Sequence, residues 1–297
     1  METMKQIMYG VTDFARIRAE NGYFVDRTAL IRELEKTSYA MFLRPRRFGK
    51  SLLCSILQCY YDIDYAGRFE EFFGGLDIGR EPTAERGKYL FIDFNFTGVE
   101  KRIDRVQDSF NEYCSERLDV FVERQAGRLP EGTTAAVLAK RTCHEKFNTL
   151  TMRLKGSGLA LYITIDEYDN FTNTILAESR ESYEALCHGD GFFKQFFNEL
   201  KLATTGTDAP VTRLFVTGVT PVTMDDVTSG FNIASNISLN PAFATLTGFT
   251  HGDLRDMLAY YRAHAGFAFD EATVFETMRR WYDNYRFSPE TGPDGKE

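Results

Sequence analysis

Two short stretches of the 297-residue chain carry side chains that could do chemistry together. The first is Gly49-Lys50-Ser51, preceded by the apolar run 39–43 and the bend Arg44-Pro45-Arg46-Arg47-Phe48. After it, Leu52, Leu53, Ile56, Leu57, Tyr60 and Tyr61 recur at the spacing of one helix face. Strand, glycine turn with Lys-Ser, then helix is the context of a phosphate-binding loop. The first N–H groups of a helix lack intrahelical partners and lie at the positive end of its dipole, so a phosphate can accept several at once. Lys50 adds a full charge beside the outer phosphates, and the Ser51 hydroxyl suits Mg²⁺. Arg46, Arg47, Phe48 and Leu52 complete the expected cradle.

The second stretch is Asp166-Glu167, at the end of the apolar run 159–165. A buried parallel strand ending in two carboxylates presents them at the edge of the sheet where open α/β folds bind ligands. Asp166 is expected to ligate Mg²⁺ through water, and Glu167 to orient or deprotonate an attacking water. Thr217, at the tip of the run 211–218, reads equally as a sensor of the terminal phosphate and as a strand-ending threonine with no ligand. Tyr23 and Phe24, with Asp26 beside them, could wall the base; taken singly, each aromatic reads as core. Asp169, one turn further on, could assist the pair, though a surface role is the plainer reading.

The elements that must position these residues follow from hydrophobic periodicity. The runs 39–43, 89–96, 159–165 and 211–218 are apolar at nearly every position, as strands covered on both faces are. Helices are expected over 13–20, from 30 to 34, after Ser51, over 103–122 and 134–154, over 191–201, after Thr250, and over 270–282. The aromatic stripe Phe192, Phe193, Phe196, Phe197 reads as core. Segments 65–88 and 221–250 read as irregular. The expected class is α/β: a P-loop NTPase with a mostly parallel five-stranded sheet flanked by helices, plus a small C-terminal helical subdomain. Residues 1–245 would form the first unit, with 1–38 on the base side, and 246–297 a lid-like second. Arg286 in the tail could reach the phosphates, though a surface arginine is the plainer reading.

Composition narrows the partners. The formal net charge of -8 argues against a nucleic-acid coat or a binder of anionic membranes. Cys54, Cys59, Cys114, Cys143 and Cys187 are scattered and odd in number, as in a reduced cytoplasmic protein. No apolar stretch is long enough to span a bilayer, and the N-terminus lacks a signal-peptide core. One feature departs from the full loop pattern: Arg44 stands where the first glycine is expected, and glycine is the residue that takes positive φ cheaply. A chain that binds nucleotide without hydrolysing it therefore remains open. So does a degenerate domain whose Arg44, Arg46 and Arg47 contact nucleic acid or a partner's carboxylates.

The blocks YFVDRTALI, MFLRPRRFGKSLL, LYITIDEYD, FVTGVTPVT, SLNPAFATLTGFT and WYDNYRF, in this order, resemble the bacterial AAA-ATPase-like family over nearly the whole chain. That resemblance implies ATP over GTP, Mg²⁺ as the cofactor, Walker A roles for Gly49, Lys50 and Ser51, and Walker B roles for Asp166 and Glu167. In that family the first loop glycine is also absent. Members often carry a C-terminal PD-(D/E)XK nuclease-like domain, so nucleic acid reached through such an attached domain is among the partners it suggests; a homo-oligomer is a separate option that the sequence leaves open. No PD…ExK constellation fits the residues after WYDNYRF, and no nuclease activity is expected from this chain.

Overall fold

The computed structural model describes residues 4–221, 233–267, 270–281, 285, 287 and 288. Strands β1 (Tyr39–Leu43), β2 (Leu90–Asn95), β3 (Leu161–Asp166), β4 (Val211–Gly218) and β5 (Ser235–Asn236) form one sheet in the order β2-β3-β4-β1-β5. Every pairing is parallel, so the sheet is wholly rather than mostly parallel.

Alternation along each strand sends side chains into two cores, one per face. Met41 and Leu43, Leu90, Ile92 and Phe94, and Leu161, Ile163 and Ile165 enter one core. There they meet α6 (Val106–Arg124), α8 (Cys143–Leu154), α9 (Asn170–Glu178), α10 (Arg180–Cys187) and α11 (Phe192–Ala203). Ala40 and Phe42, Phe91, Tyr162 and Phe215 enter the other core. That face is covered by α1 (Phe14–Ala19), α2 (Ile31–Leu34), α3 (Lys50–Tyr61), α4 (Phe69–Phe73) and α5 (Asp77–Arg80). The aromatic stripe of α11 is core, as its spacing implies: Phe193, Phe196 and Phe197 are buried.

Several elements differ from the sequence expectation. The helix expected over 134–154 is two helices, α7 (Thr133–Leu138) and α8. The break is chemical: Thr142 accepts from the Glu145 N–H while the Glu145 carboxylate accepts from the Thr142 N–H, a capping box that starts α8 afresh. Helices α9 and α10 had no counterpart in the reading of 170–187, and segment 65–88 holds the short α4 and α5. Within the polar segment 221–250, Ser235–Asn236 pairs beside β1 as an exposed edge strand. It is too short and too polar to show a strand pattern. A capping box of Thr250 and Asp253 begins the helix expected after Thr250, α12 (His251–Ala265), followed by α13 (Glu271–Trp281). Arg286 lies outside the described residues.

Ile163 is fully buried at the centre of β3. Ile163→Ala should lower stability by about 2–5 kcal/mol through lost apolar burial and the cavity left behind. A shift of the urea unfolding midpoint at unchanged slope would register it.

Candidate phosphate site at the sheet rim

Helix α3 begins at Lys50, and its first intrahelical bond runs from the Leu53 N–H to the Gly49 carbonyl, 2.9 Å. The N–H groups of Lys50, Ser51 and Leu52 precede that bond at the positive end of a twelve-residue helix. The bend that aims them takes positive φ at Arg47 (69°) and Gly49 (82°). Arg44 is not among the positive-φ residues, so no glycine is required at its position.

Arg44 does something else. It is 1 % exposed. Its guanidinium donates to the Leu43 and Ser238 carbonyls, both at 2.8 Å, and to the Phe243 carbonyl at 3.0 Å. The guanidinium carbon lies 4.2 Å from the Phe42 ring centre. Arg44 therefore ties the end of β1 to the segment after β5, and the reading in which it contacts nucleic acid is corrected. Arg46 and Arg47 remain exposed. Phe48 is half-buried.

The acidic pair reaches the loop through strand alternation. Tyr162, on the α3 face of β3, shares its parity with Thr164 and Asp166. The C-terminal half of this face turns polar. Thr164 donates to Asp93 at 2.6 Å, and Asn95 Nδ2 to Asp166 Oδ2 at 3.1 Å. The Ser51 hydroxyl donates to the same Asp166 oxygen at 2.6 Å. Lys50 Nζ lies 3.4 Å from Glu167 Oε1 and donates to the Pro45 carbonyl at 3.3 Å. Glu167 takes a left-handed backbone, φ 52°, and its N–H donates to Asp166 Oδ1 at 2.9 Å. Burial pushes the Asp166 carboxyl up to about 6; the Ser51 hydrogen bond opposes this, while the Glu167 and Asp93 charges add to it.

Among the described residues, no group of three or more His, Cys, Asp or Glu gathers to hold a metal. The pair Ser51 and Asp166 is a different donor set: a hydroxyl and a buried carboxylate, two hard oxygens that leave further positions to phosphate and water. That set fits Mg²⁺. A cation there would also relieve the crowding of Asp166 by Asp93 and Glu167.

The remaining sequence candidates have contacts of their own. Thr217 is buried and donates to the Phe42 carbonyl at 2.7 Å, so its hydroxyl closes a contact between neighbouring strands. Tyr23 packs against Tyr260 and Tyr261 of α12, with ring centres 5.7 and 5.8 Å away, and Phe24 against Phe14 at 5.2 Å. Asp26 accepts from the Thr28 N–H at 2.9 Å, the Thr28 hydroxyl at 2.6 Å and the Asp77 N–H at 2.7 Å. Their roles in these contacts are structural. The Arg27–Asp253 ion pair further ties the N-terminal segment to α12.

Two residues were missed. Asn95 shares the Asp166 oxygen with Ser51; its signal was the polar end of an otherwise apolar strand. Asp169, expected at the surface, is 1 % exposed. It accepts from the N–H groups of Val219 (3.1 Å) and Thr220 (2.7 Å), from the Thr220 hydroxyl (3.1 Å) and from Asn173 (2.8 Å). Tyr168 also donates to the Thr220 carbonyl. The exits of β3 and β4 are thus bolted together beside the acidic pair.

A loop of this form, with a lysine and a strand-end acidic pair on one sheet rim, is the arrangement of P-loop nucleotide-binding domains. The family described as Predicted AAA-ATPase matches residues 8–228, and the chain belongs to it. It is also 25 % identical over 295 residues to an uncharacterized protein in the vnfD 5′ region of Azotobacter chroococcum mcd 1. The match covers 96 % of this chain and 49 % of that protein, so the chain spans about half the length of its relative. Among the described residues no helix is long and apolar enough to cross a membrane.

Two outcomes test this geometry. A Cβ on Gly218 would stand 2.5 Å from Asp169 Oδ1 and 2.5 Å from the buried Tyr168 ring. Gly218→Ala should therefore cost about 1–3 kcal/mol of stability, read by thermal unfolding. The raised Asp166 carboxyl gives the second. The folded chain holds this proton more tightly than the unfolded chain. Stability from this group is therefore present below about pH 4 and lost as pH rises through about 6. Asp166→Asn should match wild type near pH 4 and exceed it by about 3 kcal/mol above pH 6.5, measured by denaturant titration across pH. Asp62, raised to about 6 by burial, acts in the same direction and is common to both proteins.

Proposed function

We propose that this chain binds ATP as its magnesium complex at the N-terminus of α3 and hydrolyses it slowly, regulating an attached or partner effector. The choice of ATP rests on family membership. The observation that carries the reading is the meeting of Lys50 with Glu167 at 3.4 Å and of Ser51 with Asp166 at 2.6 Å.

In this reading the N–H groups of Lys50, Ser51 and Leu52 bind phosphate oxygens, and Lys50 neutralises the outer phosphates. Ser51 and Asp166 would hold Mg²⁺, which supplies further charge neutralisation at the phosphoryl oxygens when bound. Phosphate replaces Glu167 as the partner of Lys50. The freed carboxylate then accepts a proton from, or orients, the attacking water. Asn95 holds Asp166 in place through the oxygen it shares with Ser51.

A second reading is nucleotide binding without meaningful turnover. The Lys50–Glu167 ion pair favours it, because a carboxylate that stays beside Lys50 is a weaker base toward water.

Lys50→Ala should weaken nucleotide binding by about a hundredfold or more, since a charge-assisted contact to phosphate is lost from a buried site. Glu167→Gln should bind Mg-ATP and release no phosphate. Calorimetric titration and a phosphate-release assay check both. Tight binding by Lys50→Ala would sink the site, and turnover by Glu167→Gln would remove the proposed base. A wild-type protein that binds without release selects the second reading.

A further inference from the structure

Phe48 lies between Arg47 and Gly49, the two residues whose left-handed backbone forms the bend. Its ring is held from far along the chain. It meets Tyr285 edge-on at 4.9 Å and 89°, and Phe287 edge-on at 5.3 Å and 87°. Those two rings lie parallel, 5.8 Å apart at 2°. Phe287 reaches the other end of the bend too, with its ring centre 4.1 Å from the Arg44 guanidinium carbon. Gly248, at φ 86°, closes on the same ring: a Cβ there would stand 3.0 Å from Phe48 Cδ1. Ser288, next in the chain, is buried.

This packing needs a reason, because Arg47 is exposed and carries a side chain in a region that favours glycine. A strained bend persists only when its surroundings fix it. Arg44 and the Lys50 bond to the Pro45 carbonyl hold the start of the bend, and the ring pair at 285 and 287 holds it at Phe48. Edge-on aromatic contacts are favourable and directional, so they fix the orientation of Phe48 as well as its burial.

We propose that Tyr285 and Phe287 are positioning residues for the phosphate loop, holding Phe48, and with it the turn at Arg47 and Gly49, in the shape that receives a phosphate chain. The inference rests on the nucleotide-binding reading above. Preorganisation of this kind raises affinity by removing the ordering cost from the binding step. Coupling is reciprocal, so a bound nucleotide must in turn stabilise the segment carrying Tyr285 and Phe287.

The test uses the full chain and a non-hydrolysable Mg-ATP analogue. Calorimetry on wild type, Tyr285→Phe, Tyr285→Ala and Tyr285→Ala/Phe287→Ala should give affinities near wild type for the conservative variant. The double variant should bind about tenfold more weakly, the equivalent of 1.4 kcal/mol. Tyr285 is 39 % exposed, so its single variant leaves the core intact should the double variant fail to fold. In wild type, hydrogen exchange at residues 285–288 should slow on saturation with the analogue. Alanine variants that bind as tightly as wild type, or exchange at 285–288 that ignores the ligand, would overturn the positioning role and leave the nucleotide reading standing. A wild-type protein that binds no nucleotide would overturn both.

Discussion

The structure depends on keeping opposite charges in register inside an apolar rim. Lys50 is 4 % exposed and Asp166 1 %. Lys50 is buried with the Glu167 carboxylate beside it and Asp166 with hydrogen bonds from Ser51 and Asn95, because an isolated ion in a low-dielectric interior is severely penalised. The strand order makes their meeting non-trivial. The loop strand β1 pairs with β4 and β5, while the acid strand β3 lies beyond β4. Strand adjacency therefore cannot bring Ser51 to Asp166. Helix α3 does so by running across the face that β3 shares, and the even positions of β3 supply Thr164 and Asp166 to that face. A one-residue slip of β3 would send Asp166 into the opposite core, among the phenylalanines of α11.

The loop solves a second problem, the lack of an opening glycine. The backbone reversal that glycine would allow at Arg44 is moved to Arg47 and Gly49. The residue at 44 is then free to carry a large side chain. Arginine suits the place because its planar fork can satisfy several carbonyls while its face stacks on a ring. The Leu43, Ser238 and Phe243 carbonyls meet its edge and the Phe42 and Phe287 rings lie near its guanidinium carbon. The run RPRR, which read as a basic surface cluster, thus divides into a buried strut at Arg44 and exposed positions at Arg46 and Arg47.

What could be read from the sequence follows the range of the forces involved. The four longer strands were legible because a parallel sheet covered on both faces must be apolar at almost every position. The Gly49-Lys50-Ser51 turn and the Asp166-Glu167 strand end were legible because chemistry confines them to local patterns. The strut at Arg44 was not: its carbonyl partners at 238 and 243 lie most of the chain away, and no periodicity records such a contact. Asp169 failed for the same reason. A carboxylate just past a strand looks solvated until Val219 and Thr220 are known to face it. Strand β5 failed because two polar residues at an edge carry no pattern, and the capping box at Thr142 was hidden inside a run that otherwise looked helical.

The side chains of Lys50, Ser51, Asp166 and Glu167, all expected to face a ligand, already have partners within the chain. Lys50 has Glu167 and the Pro45 carbonyl, Ser51 has Asp166, and Asp166 also has Asn95. Binding on the proposed reading is therefore an exchange of contacts, and affinity measures only the difference between the two sets. On the proposed reading, phosphate would take Lys50 first and so free the Glu167 oxygen that Lys50 now holds. Glu167 takes positive φ at this position, with its carboxylate 3.4 Å from the lysine. A backbone held in that sparsely populated region by the Asp166 contact and the bolted strand exits keeps this pairing well defined.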